Sequence, residues 1–235
     1  MTSDRNAGYT LTYLVQVEEG WVLVDAGWDD EGTLHSFQEQ LDSLGMQPEQ
    51  IGWIVVTHNH ADHLGLAGKL KALTGARLVM HYQDRPEVLR ERHRAYELIA
   101  GGLGREWLLA QGMSPEEAAS TLPEPSPAQR NLVESLEPDI LIQGDREPIG
   151  GSSLYALWTP GHTAGHVCLH DSRRRLLFSG DHILPAISPN ISLFPFAKGD
   201  PLGDYLASLE RLRSLDGEMV LPAHEGAFNG LGRRI

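Results

Sequence analysis

Between Val56 and Gly65 the chain reads V-T-H-N-H-A-D-H-L-G, and four of its side chains, His58, His60, Asp62 and His63, are metal-ligand types. A neutral imidazole offers a nitrogen lone pair and a carboxylate a hard oxygen, donors that zinc and similar divalent ions accept. His58 and His60 are two residues apart, a spacing that separates side chains around a helix but aligns them on one side of an extended chain. The pair therefore belongs to a strand end or an extended loop. Asp62 and His63 add an oxygen and a nitrogen within the next turn, so one short loop can feed two adjacent ions. Burying four such groups behind the apolar run Ile51 to Val56 without partners would be costly. Exposure on the surface would avoid that cost, and a lone H-x-H carries little weight by itself.

The case is cumulative. His162 lies in T-P-G-H-T-A-G-H (Thr159 to His166), Asp181 in F-S-G-D-H (Phe178 to His182), and His224 in V-L-P-A-H-E (Val220 to Glu225). Each follows a segment whose alternation predicts a strand: Ser153 to Trp158, Arg175 to Phe178 and Glu218 to Leu221. In layered α/β folds sites gather at the C-terminal ends of strands, so four segments converge on one rim.

The elements that must position them read as strand and helix in alternation. Strands are predicted over Tyr9 to Val17, Trp21 to Val24, Ile51 to Val56, Arg77 to Met80 and Val167 to His170. Helices are predicted near Thr33 to Leu44, Leu64 to Leu73 (closed by Gly75) and Pro201 to Ser214. From about 86 to 138 the pattern turns helical, with start signals at Ser114-Pro-Glu-Glu117 and Ser126-Pro-Ala-Gln129. The reading is a single α/β domain over residues 1–235 with a helical insertion at about 86–138, which either walls a pocket or packs as plain structure.

With 41% hydrophobic and 22% charged residues the composition is that of a soluble globular protein. No membrane span and no secretory leader are read, so a cytoplasmic location is expected. A formal charge of −13 repels polyanions, and nucleic acid is not expected as a partner. The basic run Arg173-Arg-Arg175 reads as a turn between strands. Cys168 is alone, which excludes an internal disulfide, and reads as a buried inert thiol.

On H-x-H-x-D-H at His58, His60, Asp62 and His63, together with His162, Asp181 and His224, the chain resembles the metallo-β-lactamase superfamily. Its P-G-H-T-x-G-H form around His162 is most similar to the glyoxalase II-like branch. The resemblance implies a four-layer αββα sandwich. It also implies two divalent metal ions, zinc or alternatively iron or manganese. His58, His60 and His162 would hold one ion, Asp62, His63 and His224 the other, and Asp181 would bridge them. Asp25, in the family's D-x-G position, would orient the metal loops. His166 reads as a structural neighbour and His182 as reaching toward the pocket, whereas His35, His81, His93 and His170 read as surface or satisfied core residues.

Two metals supply four positive charges; Asp62, Asp181 and a bridging hydroxide return three, so the inner site attracts anions although the whole protein repels them. Metal lowers the pKa of water from about 15.7 towards 7 and polarises a carbonyl. The expected enzyme is thus a binuclear metallo-hydrolase in which a bridging hydroxide attacks a small ester, thioester or lactone, with Asp62 also guiding a proton to the leaving group. The segment Leu184 to Phe196, stiffened by Pro185, Pro189 and Pro195 and carrying Phe194 and Phe196, is expected to shape the pocket. Glu225 would narrow it or add a negative charge. Alternatives are a mono-iron sulfur dioxygenase, using one ligand set, and a metal-dependent nuclease or phosphodiesterase. A homodimer is compatible with this reading.

Overall fold

The computed structural model describes residues 9–85, 104–121, 136–151, 153–193, 199–215 and 217–235. Two sheets organise them. The first carries strands β1 (Tyr13–Val17), β2 (Gly20–Val24), β3 (Ile51–Val55), β4 (Arg77–His81) and β5 (Ile140–Ile142) in that spatial order. The second runs from β6 (Arg146–Ile149) through β7 (Leu154–Trp158), β8 (Val167–Asp171), β9 (Leu176–Gly180) and β10 (Met219–Pro222) to β11 (Phe228–Asn229). In the first sheet β2, β3, β4 and β5 are parallel. In the second, β7 and β9 each pair antiparallel with β8 while β10 is parallel to β9, so β7, β9 and β10 all end at one edge.

Strand periodicity explains the layering, because successive side chains face opposite sides of a sheet. Val22, Val24, Trp53, Val55 and Val79 point to the second sheet and meet Leu154, Ala156, Val167, Leu169 and Phe178. Their neighbours Leu23, Ile54, Leu78 and Met80 point outward, against Leu41 of helix α1 (Glu31–Ser43), Leu64 of α2 (Ala61–Leu64) and Leu70 of α3 (Ala67–Thr74). On the far side Cys168, Leu177 and Val220 pack on Leu212 of a later helix and on Leu231. Three apolar layers thus separate helix, sheet, sheet and helix, the αββα sandwich that the resemblance implies. Each fully buried leucine contributes about 1.5–3 kcal/mol.

Local signals explain most element ends. Asp30 caps α1 by accepting a hydrogen bond from Thr33 N at 2.8 Å. Gly75 closes α3 with φ 72°. The predicted Ser114 signal forms a reciprocal capping box. Glu117 N donates to Ser114 Oγ (3.2 Å) and Ser114 N to Glu117 Oε2 (3.0 Å), starting α5 (Pro115–Thr121) after α4 (Gly104–Ala110). The signal at Ser126, and His93, Phe194, Pro195 and Phe196, lie outside the described residues.

Two readings change. The helix predicted over Leu64 to Leu73 is two helices, α2 and α3, broken at Gly65. There the backbone presses on the loop after β2: a Cβ at 65 would stand 2.5 Å from both Asp29 N and Gly27 O. Strands β5, β6 and β11 escaped the sequence reading because they are short, and β6 carries Arg146, Glu147 and Pro148. Among the described residues no helix is long and apolar enough to cross a membrane.

Candidate metal centre

The structure brings all seven candidates to one edge of the sandwich, from four segments. His58 and His60 leave the end of β3, and His60 is the N-cap of α2, which carries Asp62 and His63. His162 sits in the β7–β8 connection, Asp181 directly after β9, and His224 two residues after β10. The two sheets are joined here by a backbone hydrogen bond from Val167 N to Thr57 O (2.9 Å). The loops that carry the candidates are therefore anchored to each other at their roots.

The ligand-type atoms form two groups, His58 with His60, His162 and Asp181, and Asp62 with His63 and His224. Within each, all atoms lie within 4.8 Å of one another. His162 Nε2 is 3.2 Å from His58 Nε2 and 3.0 Å from His60 Nδ1. His224 Nε2 is 3.3 Å from Asp62 Oδ2, and His63 Nε2 is 3.5 Å from the same oxygen. Asp181 stands between the groups with its oxygens divided. Oδ2 is 3.5 Å from His162 Nε2 and 3.9 Å from His58 Nε2, while Oδ1 is 3.3 Å from His224 Nε2 and 3.4 Å from His63 Nε2.

Partners behind the rings determine which nitrogen faces inward. A carbonyl oxygen only accepts, so His162 Nδ1 donates to Asn190 O (2.8 Å) and His224 Nδ1 to Tyr9 O (3.0 Å). His63 Nδ1 donates to Asp25 Oδ2 at 2.8 Å. In the neutral rings Nε2 is then left with its lone pair directed into the site, the arrangement of metal-binding histidines. Asp25 does more: its Oδ1 accepts from Thr57 N (2.7 Å) and its Oδ2 from Thr57 Oγ1 (2.9 Å), beside His58 Nδ1 (3.1 Å). It sits in the left-handed region, φ 60°, an uncommon conformation for a residue with a side chain.

The electrostatics are those of a buried site rich in carboxylate. Burial and then the neighbouring imidazoles push His58 well down and His60 to about 3; burial also lowers His162. At His63 burial is outweighed by Asp25 and Asp181, and its pKa rises well above the ordinary value. At His224 burial is outweighed by the facing carboxylates of Asp181 and Asp62, which raise it to about 10. Burial would raise Asp62 and Asp181, yet both are held down. Asp62 falls to about 2 through the His224 hydrogen bond and the His63 charge, and Asp181 goes lower still through His63 and His224. Both carboxylates are ionised at neutral pH, and a divalent cation would replace the protons on His63 and His224. Among the candidate ligands, the buried His63 Nε2 and Asp181 Oδ1 have no hydrogen-bond partner among the described residues, which fits a cation held between them.

The other histidines divide as follows. His166 is buried beside the site, its ring 5.2 Å from that of His58 and its Nδ1 2.8 Å from Thr159 Oγ1. His182, expected to reach toward the pocket, is instead fully buried, packed between His166 (5.4 Å) and Tyr205 (4.7 Å). His35 is exposed beside Glu39, and His170 is buried in β8. His81 is buried, stacks on Trp158 at 5.2 Å and accepts from Gln83 N at Nδ1 (3.3 Å), while its Nε2 has no hydrogen-bond partner among the described residues.

Sequence reasoning did not find Thr10, whose hydroxyl donates to Asp62 Oδ2 at 3.1 Å, nor Thr57, Asp84, or the carbonyls of Tyr9 and Asn190. No spacing signal marks them; Thr57 directly precedes His58, and the others are brought in from elsewhere along the chain. The segment after Asp181 is tied at both ends. Ala186 N donates to Glu225 Oε2 (3.0 Å), Arg234 donates to Leu184 O and Ile187 O (both 2.6 Å), and Asn190 O receives His162. Glu225 thus anchors this segment, and Tyr9 Oη donates to its backbone oxygen at 2.8 Å.

Comparison with known proteins converges. The sequence model of the metallo-beta-lactamase superfamily matches residues 5–224. The human acyl-coenzyme A thioesterase MBLAC2 is 30% identical over 236 aligned residues, covering 92% of this chain and 73% of that protein. The probable metallo-hydrolase YqjP of Bacillus subtilis (strain 168) is 27% identical over 227 residues, 92% of this chain and 67% of its own. Among solved structures, the metallo-beta-lactamase family protein TTHA1429 from Thermus thermophilus superposes with a TM-score of 0.71 at 28% identity, covering 95% of this chain and 71% of that one. TTHA1623, solved in a di-iron-bound form, gives 0.59 at 26% identity over 95% and 93%.

Proposed function

The chain belongs to the metallo-beta-lactamase superfamily, and from that premise we propose that it hydrolyses a small carboxylic ester, thioester or lactone, with an acyl thioester as the favoured class. His58, His60 and His162 would hold one divalent ion, Asp62, His63 and His224 a second, and Asp181 would bridge them. The observation that carries this reading is the division of the Asp181 oxygens, one toward each group of nitrogens. The human thioesterase relative supports the choice of thioester.

When bound, the metal supplies a water of lowered pKa and an electrophile for the carbonyl oxygen. The protein's part is positioning. Asn190 O, Tyr9 O and Asp25 hold His162, His224 and His63 in the tautomer that presents Nε2. Asp62, ionised at neutral pH and steadied by Thr10, is the carboxylate placed to take a proton and pass it to the leaving thiolate or alkoxide. The strap from Leu184 to Asn190, which meets His162 through Asn190 O, would help exclude water from the bound acyl group.

The test joins metal analysis to a substrate screen over thioesters, esters, lactones and phosphodiesters, with oxygen uptake measured in parallel. Two ions per chain, thioester turnover and its loss in His58→Ala are expected. Phosphodiester turnover alone would make the chain a phosphodiesterase, and one iron with oxygen uptake a sulfur dioxygenase.

A further inference from the structure

We propose that Asp84, which lies outside the candidate ligand set, is the positioning residue of the His58, His60 and His162 group, ordering that ion's site and not the neighbouring one. The claim deepens the two-ion reading above and rests on it for the existence of the first group. Asp84 ends the short 3-10 turn Tyr82–Asp84 that follows β4, the neighbour of β3. It is a carboxylate with no exposed surface. Its Oδ2 accepts from Asn59 N (3.1 Å) and from Thr163 Oγ1 (2.5 Å), and its Oδ1 accepts from Gly165 N (2.9 Å). Asn59 lies between His58 and His60, Thr163 directly follows His162, and Gly165 belongs to the same connection. One buried charge therefore ties a loop of the first sheet to a loop of the second, and both loops carry ligands of one group.

The physical need for such a tie is visible in the nitrogen distances. His162 Nε2 stands 3.2 Å from His58 Nε2 and 3.0 Å from His60 Nδ1, so in the metal-binding tautomers the lone pairs converge and repel until a cation lies among them. Loops meeting across two sheets need a fastener that does not itself compete for the ion. A carboxylate saturated by hydrogen-bond donors serves, because bonds to a charged group are stronger than those between neutral groups. The approach is close enough to dictate sequence. A Cβ at Gly165 would stand 2.6 Å from Asp84 N and 2.7 Å from its Cβ and Cγ, so the glycine of T-P-G-H-T-A-G-H at this position is there to admit Asp84.

The experiment isolates each group in turn. Cobalt(II) binding, followed by its visible absorption, is measured in His224→Ala, which retains the first group, and in His60→Ala, which retains the second, each with and without Asp84→Asn. Asp84→Asn is expected to weaken cobalt binding about 10–100-fold in the His224→Ala background and less than about threefold in the His60→Ala background. Equal losses in both backgrounds, or no loss in the first, overturn the proposal. If Asp84→Asn does not fold, Thr163→Val in the His224→Ala background must weaken binding and Thr163→Ser restore it; a loss that serine does not restore overturns the proposal. If neither single-group protein binds cobalt, the two-ion reading fails. The same Thr163 pair, measured on the otherwise unaltered chain, then decides the role of Asp84.

Discussion

Replacing Gly161, the residue before His162, tests whether helix packing rather than the loop itself positions the first group. Gly161 has φ 141°, a region adopted essentially by glycine alone. It faces helix α6 (Pro201–Arg213), where a Cβ would stand 2.5 Å from Tyr205 Cα and 2.8 Å from Tyr205 N. The helix is fastened to the same segment by Ser208 Oγ donating to Pro160 O (2.9 Å) and Arg211 donating to Trp158 O (2.6 Å), so it cannot simply withdraw. For Gly161→Ala the backbone strain is about 1–3 kcal/mol and overpacking adds about 1–3 kcal/mol. A total near 4 kcal/mol is therefore the expectation, to within about half that. Gly75→Ala is the control: φ is 72° there, but among the described residues nothing lies within 4 Å of the new Cβ, so only the left-handed cost of about 1–2 kcal/mol applies. Both substitutions gain the same entropy from a less flexible unfolded chain, and that contribution cancels in the difference. Urea unfolding of the chelator-treated proteins removes the contribution of bound ions. Gly161→Ala should lose about 2 kcal/mol more than Gly75→Ala; equal losses would refute the claim that α6 backbone abuts the loop carrying His162.

Other expectations follow from the same contacts. Arg234→Ala frees Leu184 O and Ile187 O, and should raise KM for an acyl thioester several-fold while kcat moves less; an equal fall in kcat and kcat/KM would show that the strap acts on chemistry instead. Leu177→Ala, in the layer between the second sheet and its helices, should cost about 2–5 kcal/mol, whereas exposed Leu206→Ala should stay within about 0.5 kcal/mol, both read from thermal melting. Burial pushes the Cys168 thiol from 9.0 up to about 12. Since the folded value is the higher one, its contribution to stability is complete below pH 9 and is lost as the pH rises toward 12. A thiol reagent at pH 8 should therefore label Cys168 only after denaturation, and rapid labelling of the native protein would contradict the burial.

Much of the architecture was legible because strand periodicity is written in single residues. Val22 and Val24 share one face of β2 and Leu23 takes the other, as Val79 does against Leu78 and Met80; since all are apolar, which face meets the second sheet was decided only by the fold. The Ser114 capping box was legible for the same reason, since its partners are three residues apart. Helix α2 and the short strands β5, β6 and β11 were not, because the break at Gly65 is imposed by the loop at Gly27 to Asp29 and short edge strands owe their form to their neighbours.

By itself the sequence determined the chemistry on offer: histidines and aspartates at spacings that suit an extended loop, each behind an apolar strand, in a chain of formal charge −13. Tertiary structure decided how those groups are brought together and held. The Asp181 oxygens face separate groups, His182 turns into the core, and Asp84 joins loops 25 and 79 residues away. The ring orientations of His162 and His224 depend on the carbonyls of Asn190 and Tyr9. Every residue has a carbonyl, so no side-chain pattern can announce which one will stand behind a ligand; only the packing of the two sheets brings it there.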